Sequence, residues 1–66
     1  MTTYKDVKRF EKQNPGKTII LKLGSGEKVI YDPRFNEGGK VGFRYSKRSK
    51  DGFFVPPELI EEYRIK

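Results

Sequence analysis

The sequence predicts an α+β domain, mainly β, with one N-terminal amphipathic helix packed on a four- or five-stranded antiparallel sheet. Three observations carry this. Tyr4, Val7 and Phe10 recur at helical spacing behind a capping-box start. Beyond Pro15, short stretches rich in β-branched and aromatic residues are separated by Gly, Asn and Pro. The chain has 66 residues, enough for a single domain over 1–66 that buries only about 60% of its unfolded surface.

The helix is expected over about residues 3–13. Thr3 and Asp6 have the spacing of a capping box, and Asn14-Pro15-Gly16 stops the helix because a residue before proline avoids the α region. Lys5, Lys8, Arg9 and Lys12 fall on nearly the opposite side from the apolar stripe. Strands follow at about 17–23 and 27–32, joined by Gly24-Ser25-Gly26; in the first, Ile19, Leu21 and Leu23 share a face. Asp32-Pro33 breaks the second, and a loop leads through Gly38-Gly39 to a third strand at about 40–46. Residues 47–52 turn the chain into a short fourth strand at about 52–55. After Pro56-Pro57, residues 57–64 read either as a short helix with Leu59 and Tyr63 inward, or as one tight turn with Glu61 to Ile65 a fifth strand. The expected core is Val7, Phe10, Ile19, Leu21, Val29, Tyr31, Val41, Phe43 and Leu59.

The segment Gly52-Phe53-Phe54-Val55-Pro56-Pro57-Glu58-Leu59-Ile60 resembles the closing segment of SH3-like barrels. In that family a glycine and an apolar strand lead into a 3₁₀ turn and a last short strand. The resemblance implies a small barrel of about five strands used for binding, with Pro56 and Leu59 pinning the turn. The chain departs from the peptide-binding members in having no tryptophan and no acidic first loop, so polyproline recognition does not carry over. In layout alone, four strands running toward a proline-started helix are similar to single-strand-binding coactivator domains.

The chain has no cysteine and no histidine, which removes thiolate metal sites, disulfides and the commonest general base and nucleophile. Ser25, Ser46 and Ser49 lie in or beside turns with no evident activating base, and Glu58, Glu61 and Glu62 suit a helix N-terminus without catalysis. Gly24-Ser25-Gly26-Glu27-Lys28 lacks the spacing of a phosphate-binding loop. No enzyme activity, cofactor or metal is expected. No apolar run reaches the roughly 20 residues of a membrane span, and the expected setting is the cytoplasm.

The charge is uneven. Of 15 Lys and Arg and nine acids, residues 40–50 hold five cations and no acid: Lys40, Arg44, Lys47, Arg48 and Lys50. They fall in the third strand and its turn, flanked by Phe53 and Phe54. Cations bind phosphate and exposed aromatics stack on bases. Strand alternation puts Phe43 and Tyr45 on one face and Lys40 and Arg44 on the other, and it lets at most one of Phe53 and Phe54 join the core by regular pairing. The leading expectation is therefore sequence-tolerant binding of DNA or RNA by this hairpin, with Lys5, Lys8, Arg9 and Lys12 as a secondary basic face if both lie on one side. The alternative is an adaptor or inhibitor presenting basic charge to an acidic protein partner. The plain reading of the same residues is a solvated surface over an aromatic core.

Overall fold

The computed structural model describes residues 1–66 and comprises one helix and five strands. Helix α1 spans Tyr4–Gln13. At its start the Thr3 hydroxyl accepts from the Asp6 amide at 3.1 Å and the Thr3 amide donates to the Asp6 carboxylate at 3.0 Å. At its end Asn14 turns its side-chain amide back onto the Phe10 carbonyl at 2.9 Å, and Gly16 takes the positive φ that reverses the chain.

Strands β1 (Ile19–Leu23), β2 (Lys28–Tyr31), β3 (Val41–Arg44), β4 (Phe53–Val55) and β5 (Ile60–Ile65) form one sheet in the order β4-β3-β2-β1-β5. Every neighbouring pair is antiparallel. Of the two readings of residues 57–64, the turn-and-strand one is found: Pro57–Leu59 make a single 3₁₀ turn, and β5 adds beside β1. No C-terminal helix forms, so the layout shared with the coactivator domains ends at β4.

The registers Leu21↔Val29, Tyr31↔Phe43, Phe43↔Phe53 and Leu21↔Tyr63 put these residues on one face, and α1 covers it. Val7 lies fully buried there among Ile19, Leu21, Leu23, Val29, Tyr31, Val41, Phe43, Val55 and Ile60. Two expected core residues differ. Phe10 is only half-buried, its ring edge-on to Tyr63 with centroids 4.9 Å apart. Leu59 is 51% exposed, and Ile60 is buried in its place. Ile60 is the first residue of β5 and pairs with Leu23, which turns its side chain inward. The backbone of Leu59 still holds the turn, its amide donating to the Pro56 carbonyl at 3.0 Å and its carbonyl accepting from Gly24 at 2.8 Å.

The opposite face is crossed by a second 3₁₀ turn, Pro33–Phe35. Gly42 lies directly beneath it. A Cβ at Gly42 would collide with the backbone of Asp32, Phe35 and Asn36, and one at Gly52 would fall inside the Phe35 ring. Asn36 ties this crossing to the core. Its side chain accepts from the Gly42 amide at 2.6 Å and donates to the Tyr31 hydroxyl at 3.1 Å, which in turn donates to Glu11 on α1 at 2.9 Å. Burial pushes the Tyr31 phenol far above its ordinary range.

Candidate nucleic-acid interface

Strands β3 and β4 and the turn between them hold six of the seven hairpin residues expected to bind, and Lys40 lies immediately before β3 in an isolated bridge with Glu37. Pairing of Val41 with Val55, Gly42 with Phe54 and Phe43 with Phe53 fixes their faces. Phe53 points to the helix side, where its ring lies 6.0 Å from that of Phe43 and 5.2 Å from that of Tyr45. It extends the core outward rather than entering it, and it remains 44% exposed beside a 48% exposed Tyr45.

Phe54 points the other way and is 47% exposed. Its partner Gly42 offers no side chain to cover it. Lys40 sits over the ring, its Nζ 5.3 Å from the centroid, an exposed cation–π contact. Thus the hairpin carries an exposed ring on each face, where alternation alone left room for one in the core.

Arg44 behaves differently from the other cations. Its side chain is only 20% exposed, and Nε lies 2.8 Å from the buried carboxylate of Asp32. That N–H makes no aligned hydrogen bond, so the contact is an ion pair. Nη1 donates to the carbonyls of Lys47 and Ser49 at 3.0 and 3.2 Å. Asp32 is also gripped by Arg34, whose Nε and Nη2 donate to it at 3.0 and 2.8 Å. The Arg34 hydrogen bonds are the main cause holding the Asp32 carboxyl below the usual range, against the opposing effect of burial; the Arg34 amide and the Arg44 charge add to the lowering. The sequence showed Asp32 only as a strand breaker. Its partnership with Arg44 follows from the register: Ile30 faces Arg44, so Asp32 lies on the same face two residues on.

Lys40, Lys47, Arg48 and Lys50 form no ion pair, and all four are exposed. The acidic C-terminal stretch does not neutralise them. Glu61 and Glu62 instead approach Lys22, at 4.0 and 3.9 Å.

The helix stripe is not gathered onto this turn. Lys8, Arg9 and Lys12 border a cleft with Ile19, Tyr31 and Pro33, at the end of the sheet where β1 begins and β2 ends. The turn between β3 and β4 projects from the opposite end. Lys8 pairs with Glu11 at 3.1 Å and Arg9 approaches Asp6 at 3.9 Å, whereas Lys5 and Lys12 are unpaired. No helix is long and apolar enough to cross a membrane. The chain matches no protein-family model, and neither curated proteins nor solved structures include a significantly similar one.

Proposed function

We propose that this protein is a small non-enzymatic basic module that binds nucleic acid with little sequence preference through the β3–β4 hairpin. Lys40, Lys47, Arg48 and Lys50 contact phosphates, and Phe54 supplies a stacking surface. The observation that carries this reading is Phe54 itself: a half-exposed phenylalanine on the face away from the core, under the unpaired Lys40 ammonium. Stacking on an aromatic ring tolerates any base, and phosphate contacts position a strand without reading it. In this reading Arg44 shapes the turn and does not itself meet phosphate.

We read the fold as SH3-like. Support comes from a first strand flanked by the second and fifth, and from the 3₁₀ turn between β4 and β5. A cytoplasmic setting fits the absence of cysteine.

Fluorescence polarisation with single-stranded DNA, duplex DNA and RNA at several salt concentrations tests the proposal. Engagement of four cations gives a log–log slope of roughly −3 on single strands and −4 on duplex. The Lys40/Lys47/Arg48/Lys50-to-Ala variant loses that slope; unchanged binding in it would remove the hairpin from the site.

A second reading, docking to an acidic protein, draws on the exposed pair Tyr45 and Phe53. It predicts salt-insensitive, negligible affinity for all three nucleic acids in the same assay.

A further inference from the structure

A cleft of about 860 Å³ lies between the C-terminal half of α1, the loop at 14–17 and Pro33. Small-molecule sites run from about 300 to 1,000 Å³. Arg9, Lys12 and Lys17 line it and are exposed. The one acid in its lining, Glu11, is already occupied by Lys8 at 3.1 Å and by the Tyr31 hydroxyl at 2.9 Å. Lys12 and Lys17 have no acidic partner.

A helix C-terminus ordinarily repels anions through its free carbonyls. Here donors cover several of them. The Asn14 side chain takes the Phe10 carbonyl, the Asn14 amide takes that of Glu11 at 3.1 Å, and the Lys17 amide takes that of Asn14 at 3.3 Å. Three cations therefore face the cleft with little carbonyl charge to offset them. The exposed rings of Pro15 and Pro33 add apolar wall. The combination suits a ligand with an anionic head and an apolar, flat body.

We propose that this cleft is a second binding site, separate from the hairpin, for a nucleotide whose phosphates meet Arg9, Lys12 and Lys17 and whose base or sugar lies against Pro15 and Pro33. The nucleotide is either free or the phosphorylated end of a strand. The site does not depend on the hairpin reading, because Lys47, Arg48 and Lys50 in the β3–β4 turn lie at the other end of the sheet, and of the hairpin cations only Lys40 lies at this end.

The test is an amide NMR titration of the whole chain at fixed ionic strength with ATP, with tripolyphosphate, and with a short oligothymidylate bearing either a 5′-phosphate or a 5′-hydroxyl. ATP is expected to produce saturable shifts at Lys12, Asn14, Gly16 and Lys17. Lys12→Gln with Lys17→Gln weakens its binding by roughly tenfold, in a spectrum as well dispersed as the native one. The Lys47/Arg48/Lys50-to-Ala variant retains the cleft shifts. Cleft shifts from ATP but from neither oligonucleotide identify a free nucleotide; cleft shifts from the 5′-phosphate form over the 5′-hydroxyl form identify a strand end. The proposal is overturned if ATP gives no saturable shift at the cleft, if the double variant binds it equally well, or if tripolyphosphate binds as tightly as ATP.

Discussion

Arg44 reaches back across the outer face of the sheet to Asp32, placing Nε 2.8 Å from the carboxylate while Nη1 holds the Lys47 and Ser49 carbonyls. One guanidinium thus connects the end of β2 to the turn between β3 and β4. The cation most central to the basic run is a strut for the others.

Arg44→Ala and the turn variant Lys47/Arg48/Lys50-to-Ala should therefore separate two effects. Removing Arg44 leaves a buried carboxylate with one fewer partner and is expected to cost roughly 2 kcal/mol in urea unfolding. Arg44→Lys recovers little of it, because an ammonium lacks the planar fork that spans both sets of oxygens. The turn variant should unfold within about 0.5 kcal/mol of the native protein. Equal stability losses in the two would contradict the assigned roles.

Asp32 makes the protein acid-sensitive in a defined window. Its folded carboxyl titrates below its unfolded value, so its contribution is fully present above about pH 4 and drains away as the pH falls through the folded value. Asp6, lowered first by its bond from the Thr3 amide, acts in the same direction. The urea midpoint should fall steadily below about pH 4, and Asp32→Asn should flatten that decline without abolishing it. A variant with the native acid slope would exclude Asp32 as a contributor.

Phe54→Ala tests the stacking surface apart from charge. Losing one base–aromatic contact weakens single-strand binding by about 1–3 kcal/mol. The salt slope should stay unchanged, since no cation is lost. Thermal unfolding should move little, because the ring is already half in water. Phe53→Ala should show the reverse balance, with a measurable stability loss from its contacts with Phe43 and Tyr45.

Gly42→Ala probes the crossing of the Pro33–Phe35 turn. The added methyl meets backbone on three sides, and backbone cannot rotate away as a side chain can. Overpacking of this kind costs about 1–3 kcal/mol. Gly26→Ala would instead be strained by its positive φ in open space. Chemical denaturation of both, with the bond to the Asn36 side chain followed through the amide shift of residue 42, distinguishes collision from strain.

Much of this architecture was legible where periodicity and burial agree. The capping box, the stop at Asn14 and the facing of Ile19, Leu21 and Leu23 all follow from local residue order. Leu59 and Ile60 were harder, because both are apolar and only the start of β5 beside Leu23 decides which turns inward. The candidate site was legible only as composition: Lys40, Lys47, Arg48 and Lys50 are exposed, while alternation left open which of Phe53 and Phe54 would face away from the core. The fate of Arg44 was not, since its partner Asp32 lies 12 positions earlier in the chain and only the β2–β3 register brings the two together. Phe35 escaped notice for a similar reason. Its packing depends on Gly42 in β3 and on Gly52 just before β4.

Pairing of β1 with β5 has a kinetic consequence. Ile19 meets Ile65 and Leu21 meets Tyr63, so the edge strand beside β1 comes from a segment about forty residues further along the chain. Until β5 arrives, β1 is an edge with unpaired backbone donors and acceptors. Long-range pairing of this kind slows folding relative to domains built from local contacts. The sheet is thus most open to mispairing at β1 in the interval before β5 docks.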